Sequence, residues 1–407
     1  MNQDSKQLYE EYTQAYNSDP FAEETVQLGD ALTSSLAAER TKRWKEMIES
    51  TDMTHNSKQA WTTIKKLNTE KKAPSRVAAV TPNEVANQLL LNGKPLHKQT
   101  GQSKTMNRDT ANIMKNSDHE FSSFTEQELT DAIALLKTGK AAGLDNITTE
   151  MIQHFGAQTI TWILKLLNKC AETSTIPRAW RRAKVAAILK PGKDPNSKKS
   201  YRPISLLCIL YKLYERMIMA RISTPVEEHL TPDQAGFRPG RSCCDQLLNL
   251  TQLIENGYEE KKITGTVFVD LTAAYDTVNH RLLLNKVAKV VNNSKLVKII
   301  QSLLTNRRFY VEMDGRKSRW RTQKNGLPQG SVLAPTLFNI YTNDQPEFEA
   351  IRRFIYADDL CLATQAGDFS TIEVRLSKAL NTLTDYYAQN SLNANPAKNL
   401  RSLCLSP

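Results

Sequence analysis

Residues 353–364 read RFIYADDLCLAT, two short β-prone runs (353–357 and 360–364) with nothing but Asp358 and Asp359 between them. Strand-like runs with so short a break close as a β-hairpin, which fixes an antiparallel pair and predicts both acids at its tip. Asp favours turns in its own right, so an Asp-Asp tip alone is only a turn signal. A third acid changes the reading. Residues 266–270, TVFVD, form a short β-branched and aromatic run that ends on Asp270. That places a carboxylate at a strand mouth, where sites in mixed folds gather.

If the hairpin pairs beside this strand, Asp270, Asp358 and Asp359 converge. Two like charges about 4 Å apart repel by about 4 kcal/mol at an effective dielectric of 20. Such a group must take up protons or bind divalent cations. Oxygen donors favour Mg²⁺ or Mn²⁺, and no His recurs near these acids, which argues against a zinc hydrolase. Two such ions, about 3.5–4 Å apart, can activate a 3′-hydroxyl and stabilise a leaving pyrophosphate.

The charge balance points the same way. The chain has 407 residues, with 54 Lys and Arg against 43 Asp and Glu, a net charge of +11 that fits an acidic partner such as nucleic acid. The excess is local. Residues 161–202 carry eleven Lys and Arg against two acids, and residues 307–324 carry seven against two. In the first region a strand-like run, 185–189, opens into Lys190-Pro-Gly-Lys193, a basic loop that can aim ammonium groups at phosphates without being a P-loop. Arg202 follows, with a planar fork suited to bidentate phosphate contact. A solvated basic loop is the alternative.

Residues 325–331, NGLPQGS, predict a tight loop ahead of a helix. Gln329 could hold a nucleotide or template there, Gly330 could admit a base or sugar close to the backbone, and Ser331 could cap the helix.

Other features bound the class. The six Cys show no finger spacing and are too sparse for a disulfide scaffold, so a reducing interior is expected and structural zinc is not. The polar start MNQDSKQLYEEY is no signal or transit peptide. The most apolar stretch, 204–222, is broken by Lys212, Glu215, Arg216 and Arg221, so no membrane span is expected.

The organisation is α+β, with two parts. Residues 1–115 are a helical N-terminal extension and linker. Ser57 can cap a helix with Ala60, Trp61, Ile64 and Leu67 on one face, and 92–118 reads as linker. The compact domain begins near Phe121, where Thr125 and Glu128 form a capping box ahead of Leu129, Ala132, Ile133 and Leu136.

Six blocks carry a resemblance: LKTGKAAGLDNITTEMI, ILKPGKDPNSKKSYRPISLL, QAGFRPGRSCCDQLLNL, VFVDLTAAYDTVNH, KNGLPQGSVLAPTLFNIYTND and FIYADDLCLAT. In this order they resemble the reverse transcriptases of non-LTR (LINE-type) retrotransposons, nearest the jockey-like group, over about residues 121–398. The resemblance implies a right-hand polymerase, with fingers and a ferredoxin-like palm sheet in 116–407. It implies an RNA template, a DNA primer, dNTP substrates and two Mg²⁺ or Mn²⁺ ions, in a cell interior, with the nucleus as the place of integration. It leaves the oligomeric state open.

By matching position, Asp270 and Asp358 become metal ligands, with Asp359 the third acid. Tyr275 becomes the bulky gate against the ribose 2′-hydroxyl, although a core aromatic is also consistent. Lys190 and Arg202 fall where the fingers grip the triphosphate. Gln329 and Gly330 fall in the nucleotide- and template-positioning loop, and Lys398 where a lysine protonates pyrophosphate. Arg238 and Arg241 fall in a template-contacting block.

The sequence departs from the family at Asn399, where Thr is usual, and only NLRSLCLSP follows Lys398. The resemblance therefore leads us to expect a fragment or decayed copy that lacks primer-grip strands, thumb, Cys/His-rich tail and upstream endonuclease. The leading expectation is RNA-directed DNA polymerase chemistry. The alternative is a catalytically inactive nucleic-acid-binding remnant. A domesticated relative is a further reading. The jockey-like blocks argue against a splicing maturase.

Overall fold

The computed structural model describes residues 3–19, 22–49, 80–94, 121–395 and 400–404. The expected helix around Ser57 and Trp61 and nearly all of the 92–118 stretch lie outside these residues. The chain divides into two compact units, Met1–Arg76 and Val77–Pro407.

In the first unit, helices Gln3–Ser18 and Glu23–Glu49 pack on each other. Buried Ser5 meets Ser35 at 2.8 Å, and the Thr25 hydroxyl donates to the Asp19 carbonyl, also at 2.8 Å.

The second unit is built on two sheets. In the first, β1 (Arg182–Leu189) pairs antiparallel with β2 (Tyr201–Leu206), its Ile188 opposite Arg202. β1 also pairs parallel with β4 (Arg307–Met313), and β4 carries the short strands β5 (Arg316–Lys317) and β6 (Arg321–Gln323). The second sheet is antiparallel throughout. β3 (Ile263–Val269) lies between β8 (Asp359–Ala366) and β9 (Leu400–Cys404), and β7 (Ile351–Tyr356) forms the edge beside β8. The observed architecture is a mixed α and β arrangement.

Helices supply the core. Ile209–His229 buries Tyr211, Leu213, Tyr214, Met217, Ile218 and Ile222, the apolar run that its charged residues keep from being a membrane span. No helix among the described residues is long and apolar enough to cross a membrane. The expected capping box forms. The Glu128 amide donates to Thr125 Oγ1 at 3.2 Å and the Thr125 amide donates to the Glu128 carboxylate at 2.8 Å, starting helix Glu126–Ala134 with Leu129 and Ala132 buried.

A second capping box was not read from the sequence. Thr81 and Glu84, with Pro82 at the first helical position, start helix Pro82–Asn92. The boundary at 115 left this helix in the extension, yet it belongs to the second unit, against β4.

Candidate active site

β3 and β8 run antiparallel with Val269 opposite Leu360, so Asp270 leaves the sheet beside the β7–β8 turn. The hairpin pairs Tyr356 with Asp359. Its two turn residues are therefore Ala357 and Asp358, one position earlier than the sequence pattern gave. Asp359 is the first strand residue. Asp358 is thus held in the turn and Asp359 in the strand. Asp358 is half-buried and faces a cleft, whereas Asp359 is exposed and is not among the cleft's lining residues. Among the described residues no three His, Cys, Asp or Glu side chains converge as a metal-enclosing group. Of the three expected carboxylates, Asp270 and Asp358 line the cleft. Asn395 braces the first of these. Its backbone amide donates to the Asp270 carbonyl at 2.8 Å and its Nδ2 donates to Asp270 Oδ2 at 3.2 Å.

The cleft has a volume of about 720 Å³, and Lys190, Lys198, Lys199 and Arg202 line it together with the carboxylate pair. The β1–β2 hairpin presents these bases: Lys190 donates its amide to the Ser200 carbonyl at 2.9 Å as the chain turns back. An acidic edge and a basic edge thus share one cavity. Its oxygen donors are of the type Mg²⁺ takes, since that ion usually binds through one or two carboxylates plus substrate phosphates.

Tyr275 also lines the cleft. Its ring stacks on Phe338, centroids 5.1 Å apart and planes 7° apart, and meets Phe237 edge-on at 6.5 Å. Burial, and after it the Asp358 carboxylate, push the phenol upward, so it stays neutral. The ring packs on Phe338 while the residue also lines the cleft.

Gln329 and Gly330 line the cleft as well. Gly330, however, approaches protein. Its φ is +120°, and a Cβ there would stand 2.6 Å from the Ser205 carbonyl oxygen of β2. The Ser205 amide donates to the Gln329 carbonyl at 2.7 Å, fastening the loop to the first sheet. Ser331 accepts from the Ala334 amide at 3.1 Å and donates to the fully buried Glu215 carboxylate, which also takes the Val332 amide at 2.8 Å.

Several cleft residues carried no readable sequence signal. Gln88 and Asn92 come from helix Pro82–Asn92, and Phe237 from the loop after Ile209–His229. Asp276 sits between this cleft and a smaller cavity of about 300 Å³ under the same helix. Burial pushes its carboxyl up to about 6, against the opposing pull of Asn92 and Lys190.

The other expected basic residues also make contacts within the protein. The Arg238 side chain, 7% exposed, binds Glu227 at 2.9 Å and the carbonyls of Thr231 and Gln234 at 2.8 and 3.1 Å, while Arg241 reaches the Pro232 carbonyl at 3.1 Å. In the 307–324 cluster, Arg307 is buried on the Tyr211 hydroxyl at 3.0 Å, and Arg321 holds Asn83 and Asn87 of helix Pro82–Asn92. Two of the seven bases there thus serve structure. Lys398 lies outside the described residues.

The family described as Reverse transcriptase (RNA-dependent DNA polymerase) matches residues 188–402, and the chain belongs to it. The chain is 33% identical over 284 residues to the probable RNA-directed DNA polymerase from transposon BS of Drosophila melanogaster, covering 67% of this chain and 31% of that protein. It is 34% identical over 275 residues to the RNA-directed DNA polymerase from mobile element jockey of Drosophila funebris, covering 65% of this chain and 30% of that protein. Against the probable RNA-directed DNA polymerase from transposon X-element of Drosophila melanogaster it is 30% identical over 262 residues, covering 63% and 29%. It is thus similar to the jockey-like, non-LTR branch of the family, and spans less than a third of the length of these relatives.

Proposed function

We propose that this chain carries RNA-directed DNA polymerase chemistry, extending a DNA primer on an RNA template with dNTPs. The observation that carries the reading is the meeting, in one cleft, of Asp270 and Asp358 on one edge with Lys190 and Arg202 on the other. In this reading residues 116–407 form fingers and palm, the β1–β2–β4 sheet serving as fingers and the antiparallel sheet as a ferredoxin-like palm. Residues 1–115 form an extension, with helix Pro82–Asn92 docked on the fingers.

The primer 3′-hydroxyl attacks the dNTP α-phosphorus in line. A new P–O bond forms to the primer, the hydroxyl proton is released to water, the bond to the β-phosphate oxygen breaks, and pyrophosphate leaves. Asp270 and Asp358 would hold two Mg²⁺ or Mn²⁺ ions, which when bound supply charge neutralisation and activation of the hydroxyl, and Asp359 would add negative charge from outside the cleft lining. Lys190 and Arg202 offset the triphosphate charge, with Lys198 and Lys199 adjacent. Tyr275 faces the ribose 2′ position, and Gln329 and Gly330 form the surface under the nascent pair. Lys398 protonates the leaving pyrophosphate.

The test is dNTP incorporation on a primed RNA template. The double variant Asp358→Ala, Asp359→Ala should lose it, and incorporation at the unaltered rate would remove the site assignment.

A further inference from the structure

The segment 234–237, QAGF, runs beside β7 without being a strand of its sheet. Gln234 forms a parallel bridge with Ile355. The Ile355 amide donates to the Asp233 carbonyl at 3.1 Å, and the Ala235 amide donates to the Ile355 carbonyl at 2.9 Å. Arg353 Nε donates to the Asp233 carboxylate at 2.8 Å, locking the segment from the side.

Beyond Ile355 a side chain takes over from the backbone. Gln234 is 3% exposed. Its Oε1 accepts from the Ala357 amide at 2.9 Å and the Gly236 amide at 2.7 Å, while its Nε2 donates to the Ala357 carbonyl at 3.1 Å. Both backbone groups of Ala357 are thus held by one amide. Ala357 has φ +59°, a left-handed conformation that a residue with a Cβ adopts rarely. Gly236 packs directly on it, and a Cβ on Gly236 would stand 2.1 Å from the Ala357 nitrogen. Arg238 and Asn339 hold the strap in turn, Arg238 through the Gln234 carbonyl and Asn339 through the Gly236 carbonyl at 2.8 Å.

The two-residue break in the sequence pattern would put Asp358 and Asp359 at the tip. The structure has Ala357 and Asp358 there. Moving the turn by one residue would shift the pairing by two, set Tyr356 opposite Cys361 instead of Asp359, and make Asp359 a turn residue beside Asp358. We propose that Gln234 is a positioning residue that selects this register: by clasping Ala357 it holds the turn that directs Asp358, rather than Asp359, into the cleft. The inference rests on the reading of Asp270 and Asp358 as the metal-holding pair. It gives the QAGF block the task of setting the geometry of that pair.

Two variants of the full chain test it. Gln234→Met keeps the length of the side chain and removes both functions. Gln234→Glu keeps the acceptor for the two amides and removes the donor. Cooperative thermal melting establishes that each is folded. We expect the Ala357 amide to exchange hydrogen faster in Gln234→Met, and Mn²⁺ affinity, read by electron paramagnetic resonance, to fall about 10- to 100-fold, as for other residues that orient metal ligands. Gln234→Glu should lie between this variant and the wild type. Wild-type exchange at Ala357 in folded Gln234→Met overturns the proposal, as does faster exchange with unchanged Mn²⁺ affinity. If Gln234→Met does not fold, the same criteria apply to Gln234→Glu. Failure of the wild type to bind Mn²⁺ would contradict the polymerase reading. A crystal structure of the variant then judges Gln234 by itself: a turn still at Ala357 and Asp358 refutes the register role, and a shifted turn supports it.

Discussion

The side-chain amide of Asn92 donates from Nδ2 to Oδ2 of Asp276 across 3.0 Å, tying helix Pro82–Asn92 to the residue that follows Tyr275. Gln88 extends the chain, donating to Asn92 Oδ1 at 2.8 Å. The arrangement places a half-buried carboxylate beside the proposed sugar-facing residue.

That carboxylate gives a pH signature. Burial raises Asp276 from the ordinary 3.8 to about 6. A raised acid is held protonated by the folded state where the unfolded chain has released its proton. Its stabilising contribution is therefore complete below about pH 4 and is lost as pH rises through about 6. Asp276→Asn removes the cost of ionisation, so at pH 7.5 it should be more stable than the wild type by about 1–3 kcal/mol, a difference that vanishes below about pH 4. Urea denaturation across pH 3.5–8 checks this (limits on the order of those that bracket the titration). A difference independent of pH would show that Asp276 does not titrate as its surroundings require.

Tyr275 packs on Phe338 and borders the cleft. Tyr275→Ala opens space where the 2′-hydroxyl of a ribonucleotide would stand, and should lower the preference for dNTP over NTP by about 10- to 100-fold. Tyr275→Phe keeps the bulk and should keep the preference. Competition between dNTP and NTP on one primed template measures both. Unchanged selectivity in Tyr275→Ala removes the gate role.

Glu215 is buried and takes the Ser331 hydroxyl and the Val332 amide, anchoring the end of the Gln329 loop. Glu215→Ala leaves those donors buried without their acceptor and opens a cavity, costing about 2–4 kcal/mol. Gly330→Ala drives a Cβ to 2.6 Å from the Ser205 oxygen at a φ of +120°, and should also destabilise, by about 1–3 kcal/mol. Equilibrium denaturation of each variant is the measurement. Wild-type stability in both would mean that the loop is not anchored through these contacts.

Much of the architecture near the carboxylates was legible because it follows from strand and cap chemistry. TVFVD ends its strand at Val269 and delivers Asp270, the run before Lys190 forms β1, and Thr125 with Glu128 starts a helix. The turn register was not legible. A Gln 123 residues away in sequence decides it, and no local pattern reports such a contact. The inward turn of Arg238 was hidden for the same reason, since an Arg in a basic block looks alike whether it faces nucleic acid or a Glu227 of its own chain. Helix Pro82–Asn92 is a different case. Its Thr-Pro-x-Glu start is a legible cap, but its place beside β4 is not, since that place includes long-range contacts such as Asn83 and Asn87 with Arg321.

The central claim is that Asp270 and Asp358 act as a pair across from the basic edge of the cleft. The most direct measurement is primer extension on an RNA template with dNTPs and Mg²⁺ or Mn²⁺, comparing the wild type with Asp270→Asn and Asp358→Asn. Each substitution removes a charge while keeping the size of the side chain. The expected result is template-directed extension by the wild type and a loss of about three orders of magnitude or more in either variant. Extension by either variant at the wild-type rate, or none by the folded wild-type chain with either ion, would contradict the account.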